Sequence, residues 1–154
     1  MVRADMENSS TVRIVVALAL LHPSGQVLMQ HRPRNKAHGG LWEFPGGKVE
    51  PHETCESAIV REIDEELGVV IEAADLFPVS FATEALVDNG QSILLLLYGT
   101  RNWQGVAQAM EAGSEVRWTG PDELLQLPMP PLDVPLARAV IPLLEGLAKA
   151  TTAP

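Results

Sequence analysis

The stretch Gly47 to Val69, GKVEPHETCESAIVREIDEELGV, decides how this chain is read: a glycine loop runs into a carboxylate-dense helix that stops at Gly68. From about Thr54 to Leu67 the apolar residues Ile59, Ile63 and Leu67 recur every fourth position, with Val60 beside them. At roughly 100° per residue they form one buried stripe. Gly68 supplies the stop, because glycine tolerates the left-handed conformation at a helix end. On the same wheel Glu62, Glu65 and Glu66 fall within an arc of roughly 100° beside the stripe, at the rim of the packed surface.

Carboxylates packed this closely repel. The pair Glu62 and Glu66 costs roughly 0.2–0.5 kcal/mol on an isolated helix and more where water is partly excluded, and Arg61 offsets only part of it. Such a run is either a solvated acidic face or a seat for a hard cation, and oxygen-only donors favour Mg²⁺ or Mn²⁺ over zinc. The loop ahead of it, Phe44 to Lys48 (FPGGK), favours the cation. Paired glycines let backbone approach a ligand and free carbonyls for coordination, and the following helix aims N–H groups at anions.

The segment is similar to the Nudix box at every fixed position: Gly47, Glu53, Arg61, Glu62, Ile63, Glu65, Glu66, Gly68 and Val69. That resemblance implies an α/β fold, an α/β/α sandwich around a mixed central sheet. It also implies Mg²⁺-dependent hydrolysis of a nucleoside diphosphate linked to another group. By the same resemblance the metal ligands are Glu62, Glu65, Glu66 and the carbonyl of Gly46. Glu62 is the first choice of general base, Glu111 in a late loop the second, and Arg61 orients the glutamates. Glu53, at the start of the helix, either meets a metal through water or favours the positive end of the helix dipole.

Three places speak to substrate. Arg32 stands where MutT-like members of the family, the nucleotide-pool-cleaning branch, set an arginine on substrate phosphate; the bland alternative is an exposed strand-end arginine. Asp133, in the proline-bracketed run Pro130 to Pro135 (PPLDVP), replaces the asparagine of similar 8-oxoguanine hydrolases. An ionised aspartate only accepts hydrogen bonds, so it suits a donor-rich edge, that of guanine or the amino group of cytosine, and resembles the pattern of cytidine-nucleotide pyrophosphohydrolases. Its structural alternative is an N-cap on the last helix. Trp42, Phe44 and Phe81 are candidates for a stacking wall, or for core.

These features lead to an expected hydrolysis of a nucleoside triphosphate, of the 8-oxo-dGTP or CTP/dCTP type, to monophosphate and pyrophosphate. An RNA 5′-end pyrophosphohydrolase and a non-catalytic nucleotide sensor are the other readings. The first needs a basic track that a net charge of −9 does not advertise, and the second usually lacks a box glutamate. The stretch Glu84 to Val87 carries neither the proline of ADP-ribose hydrolases nor the tyrosine of dinucleoside-polyphosphate hydrolases.

The rest of the chain fits one domain over 11–150 after a loose lead-in at 1–10: 154 residues, 46% hydrophobic and 20% charged. No apolar run is long enough to span a bilayer, and the single Cys55 suits a reducing cytoplasm. The expected partner is a small nucleotide rather than nucleic acid or membrane. Strands are expected at 11–21 and 26–32 as a hairpin, at 69–73, 76–82, 92–103 and 115–119, with a turn near Asp88, Asn89 and Gly90. Pro121 starts a short helix, and 134–149 forms the terminal helix with a kink at Pro142.

Overall fold

The computed structural model describes residues 11–37, 39–85 and 91–152. Ten elements position the site: strands β1 (Val12–His22), β2 (Gln26–His31), β3 (Trp42–Glu43) and β4 (Gly46–Lys48), helix α1 (Cys55–Leu67), strands β5 (Phe77–Ala85), β6 (Ser92–Thr100) and β7 (Glu115–Thr119), and helices α2 (Pro121–Leu124) and α3 (Asp133–Thr152). The strands form one seven-stranded mixed sheet.

β1 is its spine, and its continuous apolar run follows from burial on both faces. Val16, Leu18 and Leu20 face α1, whereas Ala17, Ala19 and Leu21 face α3. One edge of β1 runs parallel to β6, from Val12 opposite Ser92 to Leu20 opposite Thr100. Its other edge is shared. β4 pairs antiparallel along Val15–Ala17, and β2 pairs only at Leu21 and His22, forming the expected hairpin. Between them the Leu18 N–H donates to the Pro45 carbonyl at 2.9 Å, so the glycine loop is stitched to the middle of the sheet.

Helix α1 covers one face as its periodicity requires: Ile59, Ile63 and Leu67 are fully buried, each contributing about 1.5–3 kcal/mol of apolar burial. A capping box starts it, with Ser57 N–H on Thr54 Oγ1 and Thr54 N–H on Ser57 Oγ, both at 3.0 Å. Gly68 ends it in the left-handed region at φ 66°. On the opposite face α3 buries Leu136, Ala137, Val140 and Leu144, which completes the α/β/α sandwich.

Several expectations need correcting. Residues 69–73 form no strand: Val70 makes a single bridge to Gln104, and a 3₁₀ turn follows at Ala73–Asp75. The short strands β3 and β4 emerge from what reads as loop, because only their pairing to β2 and β1 makes them strands. β6 stops at Thr100, short of Trp103, while α3 runs from Asp133 to Thr152 and holds Pro142 inside it. The turn at Asp88–Gly90 and the lead-in at 1–10 lie outside the described residues.

Candidate active site

Two neighbouring sets of side chains meet at the glycine loop. The first is built on α1. Arg61 grips Glu53 with two parallel bonds, Nε to Oε2 and Nη2 to Oε1, each 2.8 Å. It also donates from Nη1 to Glu62 Oε1 at 3.0 Å and from Nη2 to the Lys48 carbonyl at 3.2 Å. This fork ties the start of the helix, its middle and the end of β4 into one rigid unit. The Arg61 guanidinium and the Glu50 N–H hold the Glu53 carboxyl down at about 2.

The glycines make room for this arrangement. A Cβ on Gly47 would lie 2.3 Å from Glu62 Oε1, and one on Gly46 would lie 2.0 Å from the Val16 carbonyl oxygen, so neither position admits a side chain without displacing its neighbours. The Gly46 N–H donates to Glu66 Oε2 at 3.2 Å. Burial and the charge of Glu62 push Glu66 up to about 8, and burial also raises Glu62 against the pull of Arg61. Two carboxylates that cannot both ionise comfortably, set against the Gly46–Gly47 backbone, are donors of the kind a hard divalent cation takes. The cage is not ready-made: no cluster of three acidic, histidine or cysteine side chains poised to hold a metal occurs among the described residues. Glu65 is 60% exposed and reaches only the edge of Arg61, at 3.5 Å.

The second set lines a cavity of about 330 Å³ on the α3 side of the sheet, reaching from the glycine loop to Asp133. Its walls are Val15, Ala17, Phe44, Ile93, Leu95 and Leu132, and its polar groups are Arg32, Glu43, Lys48, Glu84 and Asp133. Asp133, 5% exposed, accepts from the Phe44 N–H at 3.0 Å through Oδ2. Arg32 Nε pairs with Glu43 Oε1 at 2.8 Å, while its Nη1 donates to the Ala37 carbonyl at 3.0 Å. Burial raises Glu43 to about 7 despite Arg32, and Asp133 to about 6 despite the Phe44 N–H.

A sequence model of the NUDIX domain matches residues 11–143, most of the chain. The chain belongs to the Nudix family. It is 38% identical over 130 residues to the CTP pyrophosphohydrolase of Escherichia coli, covering 84% of this chain and 93% of that one. It is 42% identical over 55 residues to the 8-oxo-dGTP diphosphatase of Proteus vulgaris, covering 36% and 49%. The solution structure of the E. coli ORF135 protein superposes with a TM-score of 0.74 at 33% identity, covering 95% of this chain and 97% of that one. As a MutT-like Nudix protein the chain is a hydrolase of acid anhydrides.

Within this Nudix site the residues expected from the sequence divide. Glu62, Glu66, Gly46 and Arg61 gather around the glycine loop, and Arg32, Phe44 and Asp133 share the cavity. Glu65 stands apart, and Glu111 forms an ion pair with Lys36 and does not line the cavity. Trp42 is core, packed against His31 at 4.9 Å between ring centres, and Phe81, 66% exposed, pairs with Leu96 on the α1 face; neither lines the cavity. Asp133 opens α3, yet its Oδ2 is bound to Phe44 of a distant loop, so more than an N-cap is at work. Reading the sequence missed Glu43 and Glu84. Glu43, wedged between Trp42 and Phe44, carried the one available signal: an acid flanked by buried aromatics.

Proposed function

We propose that this Nudix hydrolase converts a nucleoside triphosphate of the cytoplasmic pool, with Mg²⁺, to the monophosphate and pyrophosphate, and that CTP or dCTP fits better than 8-oxo-dGTP. The observation that carries the choice is Asp133, buried in the cavity with one oxygen fixed on the Phe44 N–H and acceptor capacity left for a base. A carboxylate there rewards an amino donor such as that of cytosine. It lacks the amide donor that would serve the O6 carbonyl of an oxidised guanine, although the N1–H and amino donors of that base remain open to it. The similarity to a CTP pyrophosphohydrolase over nearly its whole length supports the same reading.

The chemistry belongs to the α1 side. Glu62, Glu66 and the Gly46 carbonyl would hold the metal, with Glu65 turning in to join them. Once bound, a divalent cation neutralises phosphate oxygens and acidifies the attacking water. Glu62, raised by burial and oriented by Arg61, takes the proton from that water, and Glu111 is the second choice for this role. Arg61 acts by position, since its donors are engaged by Glu53, Glu62 and the Lys48 carbonyl. Arg32 lines the cavity beside Glu43 and would meet the substrate's phosphates.

Pyrophosphate release from CTP, dCTP, dGTP, 8-oxo-dGTP and ADP-ribose, measured with Mg²⁺ beside a Glu66→Gln variant, tests this. Turnover led by CTP or dCTP and lost in the variant supports the assignment; turnover led by ADP-ribose, or none, rejects it.

A further inference from the structure

The cavity carries more negative charge than its own cations balance. Glu43, Glu84 and Asp133 line it, against Arg32 and Lys48 alone among its cationic side chains. Lys48 stands at the exposed rim on β4, and Arg32 divides its bonds between Glu43 and the Ala37 carbonyl. Asp133 has a backbone N–H as its hydrogen-bond partner. Glu84, like Lys48, is exposed, so the imbalance rests on Glu43 and Asp133 against Arg32, where the neighbouring walls are aliphatic and screening by water is reduced. Such a pocket reaches balance in one of two ways. It keeps a proton, or it receives positive charge from whatever binds.

We propose that the cavity selects bases that bring positive charge with a donor-only edge, extending the substrate class to nucleotides methylated on a Watson–Crick ring nitrogen. Methylating N3 of cytosine or N1 of adenine converts the ring acceptor of that edge into part of a cation and leaves the amino group as donor. An edge of that kind offers a carboxylate no lone pair to repel it, and its amino hydrogens make charge-assisted bonds. The neutral parent base sets its ring acceptor against the same oxygens. Glu43 and Asp133 enter from β3 and from the first turn of α3, so two carboxylates approach one edge from separate elements.

This inference rests on the nucleotide-hydrolase reading of the same site, and the experiment separates the two. Calorimetry with Mg²⁺ compares 3-methyl-CMP with CMP and 1-methyl-AMP with AMP on the full chain. The expected result is at least tenfold tighter binding of each methylated cation, shrinking to within about twofold in a Glu43→Gln, Asp133→Asn double variant. Equal or weaker binding of the cations, or a preference that survives in the double variant, overturns the proposal. Thermal unfolding checks that the variant folds; should it not, Glu43→Gln alone, which leaves the Phe44–Asp133 bond intact, is expected to lose at least half of the preference. Pyrophosphate release from CTP is recorded in parallel. Release without a preference for cations rejects only the charge selectivity, whereas no release from any triphosphate rejects the pool-cleaning reading while the binding result still judges the cavity.

Discussion

On the α1 side of the glycine loop one arginine reaches four carboxylates, Glu50, Glu53, Glu62 and Glu65, whereas in the cavity Arg32 reaches one, Glu43. Both regions are rich in acid, but their charges are organised differently. Around Arg61 two of the acids, Glu53 and Glu62, are held by close hydrogen bonds, and the pair Glu62 and Glu66 flanks a glycine backbone, a donor set that suits a cofactor cation. In the cavity the acids are spread over apolar walls and held by fewer partners, which is how a site prepares to be completed by its ligand. On the proposed function the molecule would thus divide chemistry from selection across the thickness of its sheet.

The sharpest way to break that division is to remove the proposed base. Glu62→Gln should lower kcat by about 10²–10⁴-fold while leaving nucleotide binding within a few-fold; a variant whose KM alone rises would move Glu62 to substrate binding. Next in size is Arg61→Lys, which keeps the charge and loses the fork onto Glu53 and the reach to Lys48. A fall in kcat of about 10–100-fold is expected, the range seen when a partner that orients metal ligands is altered. If Arg61 touched substrate instead, KM would carry the change. Gly47→Ala sets a methyl group against the Glu62 carboxylate and should impair both folding and turnover, read together by thermal unfolding and kcat.

The smallest effect expected is on stability. Burial raises Glu43 to about 7, Glu66 to about 8 and Asp133 to about 6, above their unfolded values near 4. A raised carboxyl contributes stability that is complete below its unfolded pKa and is lost as pH climbs through the folded one. Metal-free protein should therefore melt at progressively lower temperature from about pH 5 to pH 8.5, and Mg²⁺ should recover part of the loss at the alkaline end. Glu53 works in the opposite sense. Its stabilisation is present above about pH 4.5 and fades as pH falls toward 2, so the curve turns down again in acid. A melting temperature indifferent to pH over the alkaline limb would remove the charge imbalance from both regions.

The two regions also differ in how far the chain announces them. The α1 site is written in 23 consecutive residues, where helical period alone places Ile59, Ile63 and Leu67 inward and Glu62 and Glu66 beside them. Even there Glu65 does not sit at the packed rim with the other two: it is at the end of their arc farthest from the apolar stripe, and it is 60% exposed with Arg61 at 3.5 Å. The cavity is assembled from residues that only the fold brings together, Glu43 on β3, Glu84 on β5 and Asp133 on α3. Asp133 was legible through its proline frame. Glu43 and Glu84 were not, since β3 and the facing of β5 depend on pairing to β2 and β6 that no local pattern states. The same dependence explains Phe81: an aromatic in a strand reads as core or platform, and the register set it on the outer part of the α1 face.

The most direct test of a separate selecting region is the ratio of kcat/KM for CTP to that for 8-oxo-dGTP, measured for the natural chain and for Asp133→Asn. Replacing the acceptor-only carboxylate by an amide should cut that ratio by about tenfold, with kcat for the better substrate changed little. An unchanged ratio, or an equal collapse of kcat on both substrates, would place Asp133 outside base recognition and contradict the division between the two sides of the sheet.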